Sequence, residues 1–323
     1  MNLHGWLRFA AGRLLALIVT VLGLVVVTFS MVRLIPGNPV LAVAGINSTQ
    51  AERTQLTKEM GLNHPYFTQF GHYLNNLLHW NLGTSFTDGQ SVSQQIGQEI
   101  GSSLVLAGVS LALVLIVAIP LGLVVAALTQ EGRHPRIDMI FTGATSLFGS
   151  IPQFLLATFL AFIFAIWLKI LPVAGYSPPV SSIILPVVSI ALAPVAILSR
   201  LVRIETLNVL TQDYIRTARG KRLPTRIIYL RHILPNVLTA ALTLGGVIFA
   251  YIIAGAVIIE NVFNRPGLGT GLIVAVQTNN YPVIQGIILV LGLIVVAINV
   301  VVDLAVGFLD PRSLNRPNSG AAR

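Results

Sequence analysis

The chain contains no cysteine among its 323 residues, and only 10% of them are charged. The first absence excludes a disulfide framework, a thiol nucleophile and a cysteine-ligated metal, so any segment outside a membrane must hold its shape by packing and hydrogen bonds. The second excludes a soluble globule. Such domains carry roughly 25% charged residues, whereas here 54% of the chain is hydrophobic. A phosphate-cradling loop is also missing, because Gly220-Lys221 is followed by Arg222 rather than Ser or Thr and lacks the glycine ahead of it. Gly267-Leu268-Gly269-Thr270-Gly271 follows no strand and reads as a turn. No serine sits in a nucleophile elbow, and His72 and His79 lack a third ligand at usable spacing. The net charge of +9 raises nucleic acid as a partner. Its placement argues against one, since the basic residues gather at the ends of apolar runs and are not interleaved with aromatics.

What the chain does have is long apolar runs. Crossing the hydrocarbon takes about 20 mostly apolar residues. Six charge-free runs qualify: Leu14–Val32, Ser103–Leu128, Met139–Leu168, Ser182–Ser199, Leu238–Ile259 and Val283–Val302. The first resembles a signal peptide, but its apolar core is long and ends in Arg33 and Pro36, while Ala42-Val43-Ala44 lies too far downstream to be its cleavage site. A retained first span is expected. The third run is long enough to tilt or to hold a re-entrant turn, and Pro152 falls inside it. Pro120, Pro186 and Pro194 interrupt other spans, as ordinary kinks or as breaks around a pathway. The fold class that follows is all-α: a polytopic membrane protein with six transmembrane helices.

Six spans place both termini on one side. If that side is cytosolic, fifteen of the twenty basic residues lie inside and five lie outside. This bias predicts cytoplasmic N- and C-termini in the plasma membrane. Residues 33–101 then form an extracytoplasmic segment after the N-terminal span (1–32). It opens on Pro36-Gly37-Asn38-Pro39, contains a polar helix over Ala51–Met60, and carries Tyr66, Phe67, Phe70, Tyr73, Trp80 and Phe86. An ordered cap on the membrane face is predicted, with Tyr and Trp at headgroup level. Residues 102–311 make a five-helix core, and 312–323 a flexible cytoplasmic tail. Asp138 and Glu260, at span ends, read as solvated headgroup-level carboxylates. Asp303 reads as an interfacial residue more readily than as a proton relay.

Within the core, the loop 200–236 is the main charge anomaly. Arg200 to Arg231 holds eight of the twenty basic residues. Asp213-Tyr214-Ile215-Arg216-Thr217-Ala218-Arg219-Gly220-Lys221 reads as a short basic helix. Asp213 suits its N-cap. Tyr214 and Ala218 share one face, Arg216, Arg219 and Arg222 another. Gly220 suits a left-handed end, and Pro224 stops continuation. The island is either a contact site in the cytosol or a basic loop that merely fixes topology.

Tyr214–Arg219, followed by Arg231-His232 and Asn236, resembles the cytoplasmic signature loop of ABC importer permeases, and most closely the first, B-type permease of the oligopeptide/dipeptide subgroup. The family pattern is Glu-Ala-Ala, three residues, Gly, nine residues, Ile, one residue, Leu-Pro. Ala218, Leu234 and Pro235 fall in register; Arg216 and Thr217 replace the first two positions, and Arg222 stands at the glycine. Further pieces in family order are Arg33–Pro39, Leu62–Tyr66 with Gln69, Trp80–Phe86, Ser150–Pro152, Leu171-Pro172 with Gly175, Glu260–Phe263 with Pro266–Gly269, Tyr281-Pro282 with Gln285-Gly286, Asp303 and Leu309–Arg312.

The resemblance implies a non-catalytic permease subunit forming half of a peptide pathway by alternating access. It implies that Asp213–Arg222 is a coupling helix docked on an ATPase subunit. Its partners would be a second homologous permease, two ATPases holding ATP and Mg, and an external solute-binding protein, with no cofactor in this chain. Permeases for nickel chelates or glutathione belong to the same family. A secondary transporter working without ATP is the rival class, but inverted repeats with paired buried charges are not visible.

Overall fold

The computed structural model describes residues 3–31, 34, 37–45, 47–173 and 180–309. Arg33, Pro36, Gly175, Asp310–Arg312 and the tail 312–323, all used in reading the sequence, lie outside them. The described residues form thirteen α-helical elements, with one isolated antiparallel bridge between Thr84 and Ser91.

Helix α1 (Leu3–Met31) is followed by three short helices, α2 (Pro39–Ala44), α3 (Gln50–Glu59) and α4 (Tyr66–Leu78). The polar α3 starts on a capping box: Thr49 and Glu52 exchange side chain-to-backbone hydrogen bonds. This satisfies free first-turn amides that a short helix with no buried residue could not otherwise afford. Helix α4 lays its aromatic face on the end of α1. The Phe29 ring has Tyr66, Phe70 and Tyr73 at centroid distances of 5.2, 5.1 and 5.4 Å, and the Ser30 and Tyr66 hydroxyls are 2.7 Å apart. Trp80 and Phe67 stay 91% and 83% exposed, as interfacial anchors do. Of the six aromatics read as an ordered cap, Tyr66, Phe70 and Tyr73 pack on Phe29.

The spans follow the apolar runs. Helix α5 (Val92–Thr129) has 38 residues, so at ~1.5 Å per residue it is about 57 Å long and overreaches a ~30 Å hydrocarbon core. Its first turns therefore stand outside, and it starts earlier than the charge-free run Ser103–Leu128. The third run is a bent pair: α6 (Pro135–Ser150) and α7 (Gln153–Leu160, continued by a wide turn to Trp167) meet at 98°. The break falls at Ile151-Pro152, since Pro152 disfavours helical geometry in the residue before it and Ile151 is extended (φ −75°, ψ 124°). Pro120, Pro186 and Pro194, by contrast, sit inside continuous helices.

The remaining spans are α8 (Ser181–Leu210), α11 (Leu234–Val262) and α13 (Tyr281–Leu309). Helix α9 (Asp213–Gly220) and the single turn α10 (Thr225–Ile227) join α8 to α11, and α12 (Leu268–Gln277) joins α11 to α13. Among the described residues, five helices are long and apolar enough to cross a membrane, six if the bent pair counts as one span.

The main core threads α5, α8 and α11, with Leu106, Val114, Ile190, Leu198, Val202, Val237 and Ile252 buried. Helices α5 and α8 approach closely because Gly122 has no side chain: a Cβ there would stand 2.6 Å from the Ser199 carbonyl oxygen and from Val202. Small residues at such crossings supply packing where lipid removes the hydrophobic drive between helices. A second cluster (Val92, Ile96, Leu268, Ala275, Ile284, Ile287) closes the end opposite the basic island. On the outside, Leu14, Leu15, Val19, Leu22, Met139, Ile140 and Leu147 remain exposed, an apolar perimeter suited to lipid or to another apolar helix.

Candidate functional site

The basic island lies at one end of the bundle, in the turn from α8 through α9 to α11. Helix α9 is eight residues long and covers Asp213–Gly220. Its N-cap is Gln212, extended at φ −70° and ψ 147°, with no side-chain cap bond. Asp213 sits one residue later, in the first turn, and pairs at 3.6 Å with Arg216 on the solvent face. The capping role expected for Asp213 is therefore not made. Its carboxylate still stands at the positive end of the helix dipole.

The buried face of α9 is Ile215 (0% exposed) and Ala218 (6%), while Tyr214 is 45% exposed. The face expected from the sequence, Tyr214 with Ala218, is thus rotated by one residue. Ile215 and Ala218 pack into the main core with Ile228 and Ile233, which bolts the helix to its own chain. Asp213, Tyr214, Arg216, Thr217, Arg219, Gly220, Lys221 and Arg222 are left exposed around it. Asn236 Nδ2 donates to the Tyr214 hydroxyl at 3.4 Å. Leu234 and Pro235 follow directly on a wide helical turn, Ile228–Ile233, that leads without a break into α11.

The helix ends otherwise than expected. Gly220 is the last helical residue, and the left-handed residue is Arg222, at φ 55°. The Arg222 amide donates to the Arg219 carbonyl at 2.9 Å and the Leu223 amide to the Ala218 carbonyl at 3.2 Å. These bonds close the turn over Ala218–Leu223. The left-handed residue therefore occupies the glycine position of the permease pattern, and an arginine adopts the backbone that glycine would take without strain.

The opposite end carries a polar network that hydropathy hides. Glu260, in the last turn of α11, is fully buried. Ser103 of α5 donates to its Oε1 at 2.6 Å, and the Gly269 amide donates to its Oε2 at 2.8 Å. The Leu268 amide donates to Ser103 Oγ at 2.9 Å. Helix α12 begins at a glycine N-cap, Gly267, which has no side chain to offer, so its free amides are capped from two other helices. A methyl at Gly269 would run into the Val257 backbone. The solvated headgroup-level reading of Glu260 is corrected: α5 and α12 cover it on the sides that a one-dimensional hydropathy pass leaves open. Arg265, 2% exposed, lies beside it. Asp138 is also engaged, at 2.7 Å from Arg203 Nη2.

Close by, Asn280 fastens the segment before α5. Its Nδ2 donates to Ser85 Oγ at 2.8 Å and Thr87 Oγ1 at 3.0 Å, and its Oδ1 accepts the Phe86 amide at 3.1 Å. Nothing in the spacing of the sequence pointed to this contact. The family pieces Trp80–Phe86 and Tyr281-Pro282 nonetheless flank it.

Among the described residues, five apolar helices and a bent pair, with a basic helix bolted to one end and a capped, fastened rim at the other, have the architecture of a polytopic membrane protein. Residues 118–315 match the family described as binding-protein-dependent transport system inner membrane component, and residues 6–107 match the N-terminal region of such membrane components. The chain belongs to this family. It is 37% identical over 294 residues, 89% of this chain and 92% of the relative, to a putative peptide transport system permease protein of Brucella suis biovar 1. A glutathione transport system permease protein of Pectobacterium atrosepticum is 35% identical over 94% of this chain and 98% of its own. The dipeptide permease DppB of Alkalihalophilus pseudofirmus is 32% identical over 95% and 99%. Among solved structures, a chain of the MetNI methionine ABC transporter, in inward-facing conformations, superposes with a TM-score of 0.55. It shares 17% identity and covers 69% of this chain and 97% of its own length. That likeness concerns the fold.

Proposed function

We propose that this chain is one of two permease subunits of an ATP-driven importer of peptides or peptide-like solutes, with the basic end in the cytosol and α9 as its coupling helix. The observation that carries the reading is the mounting of α9. Ile215 and Ala218 are sunk in the chain's own core while a polar, mostly basic face stands free. A helix held so firmly and left open on one side is suited to receive force from a partner. The register of Ala218, Leu234 and Pro235 with the family pattern supports the same assignment. The basic bias toward this end supports the orientation.

In this reading ATP and Mg are bound and hydrolysed on the partner subunits, and this chain does no chemistry. Closure of two ATPases carries the coupling helices together, and the permease pair turns from inward- to outward-facing. An external solute-binding protein delivers cargo at the rim formed by residues 33–101 and 265–281. The names of the relatives support peptides and glutathione as cargo class.

The test is reconstitution of the assembled transporter carrying Arg216→Glu with Arg219→Glu. Stimulation of ATP hydrolysis by the loaded binding protein is expected to fall about tenfold, the consequence of losing ~1.4 kcal/mol of docking, with membrane insertion unchanged. Undiminished stimulation would overturn the docking role. Uptake of labelled dipeptides in competition with glutathione separates the cargo classes.

A further inference from the structure

Arg203 joins three helix ends beside the coupling helix. It lies two turns before the end of α8, with only 19% of its side chain exposed. Its Nη2 stands 2.7 Å from Asp138 Oδ1 in the first turn of α6. Its Nε donates at 3.3 Å to Oγ1 of Thr129, the last residue of α5. One turn deeper, Arg200 Nη2 donates to the Thr145 carbonyl of α6 at 3.4 Å. Two arginines one turn apart on α8 thus hold α6 at two points about two turns apart.

The connection between α5 and α6 is also met from the other side. Arg219 of α9 donates through Nη2 to Gln130 Oε1 at 3.4 Å. That connection is not slack. Glu131 and His134 are both left-handed, at φ 59° and 50°, without being glycine, a backbone held only when its surroundings over-determine it. Beyond it, α6 runs straight into the 98° bend with α7.

We propose that Arg203 and Asp138 are positioning residues forming a clasp that makes α9, the α5–α6 connection and α6 move as one lever. The proposal rests on the reading of α9 as the coupling helix. Without the clasp, a push on α9 reaches α6 only through the chain, the shared core and the single exposed Arg219–Gln130 contact. With it, the same push also reaches the bent α6–α7 span through side chains. A partly buried ion pair suits this task. It is screened less than a surface pair, and the carboxylate at the start of α6 also favours that helix's dipole.

The experiment compares Arg203→Asp, Asp138→Arg and the two together, each in the complete transporter with its ATPases and binding protein. Three quantities are read: ATPase subunits retained, ATP hydrolysed, and solute moved per ATP. Each single reversal is expected to keep its ATPases and to hydrolyse ATP near the wild-type rate, while solute moved per ATP falls about fivefold. The charge swap is expected to recover most of that loss.

An unchanged ratio of solute to ATP in the single variants would overturn the proposal, whether or not less complex assembles, because a merely structural pair alters yield and not coupling. If a single reversal does not assemble, Arg203→Gln and Thr129→Val carry the same test, with a smaller fall in the ratio expected and a constant ratio overturning it. Failure of the docking reading is distinguishable. It shows in Arg216→Glu alone as undiminished stimulation, a variant that touches neither the clasp nor the Arg219–Gln130 contact.

Discussion

Ser103 Oγ lies 2.6 Å from Glu260 Oε1 while accepting the Leu268 amide at 2.9 Å, so one hydroxyl inside α5 links the end of α11 to the start of α12. It donates to α11 and accepts from α12, and it belongs to α5. Removing Glu260 leaves the Gly269 amide and the Ser103 hydroxyl unpaired in a buried place. Glu260→Ala is expected to destabilise the fold by about 3 kcal/mol, the cost of orphaned groups added to a lost acceptor. Glu260→Gln, which keeps one accepting oxygen, should lose roughly half as much. Thermal unfolding in lipid nanodiscs ranks the two; equal stability of Glu260→Ala and the parent would exclude the capping role.

The turn after α9 gives two stabilising variants. Arg222→Gly is expected to stabilise the chain by up to about 1 kcal/mol, because a left-handed backbone costs a side chain about that much. Gly220 is helical and has open space around its Cα, so Gly220→Ala should also stabilise, through helix propensity worth roughly 0.5–1 kcal/mol. Had Gly220 been the left-handed residue, alanine there would destabilise. Melting temperatures of the two single variants decide between these geometries.

Asn280 satisfies three groups of the segment before α5. Asn280→Ala is expected to loosen residues 84–91 locally, by about 2 kcal/mol, and to speed proteolysis there while the spans stay protected. Asn280→Asp keeps an acceptor for the Phe86 amide, and the Ser85 and Thr87 hydroxyls rotate to donate, so it should fall between alanine and the parent. Equal cleavage rates in all three proteins would remove the fastening role.

On α4, burial pushes the Tyr73 hydroxyl from the ordinary 10.0 to about 12. The group is neutral in both folded and unfolded chains below pH 10, so its contribution is fully present there. It is lost as pH rises from about 10 toward 12, where only the unfolded chain ionises. Tyr73 Oη is buried without a hydrogen-bond partner among the described residues. Tyr73→Phe should therefore be neutral or stabilising at pH 7 and should flatten the alkaline loss of order in α4. A steeper alkaline loss in the variant would contradict this.

The spans were legible because twenty apolar residues in a row have few alternatives, and the bend at Ile151-Pro152 was legible as a possibility because proline restricts its neighbour. The helix at Asp213 was legible in existence and in its basic character, but not in its rotation. Spacing alone does not distinguish a face of Tyr214 and Ala218 from one of Ile215 and Ala218 until Ile228 and Ile233 fold over it. Glu260 was misread for a related reason. Its burial comes from α5 and α12, which are remote in sequence. A faint signal was available in the glycine N-cap of α12, a helix start without a side chain to cap it, a few residues after an acid. Asn280 left no such signal, since its partners are more than 190 residues away.

That separation has a consequence for biosynthesis. The Phe86 amide finds its acceptor only when Asn280, 194 residues later, has emerged and α12 has been laid against α5. Every span except α13 precedes Asn280, so the segment before α5 cannot reach its fastened position until the last helix is about to begin. The chain is therefore built so that this rim is completed last, and a chain truncated before Asn280 would leave that segment unfastened and open to quality-control proteases.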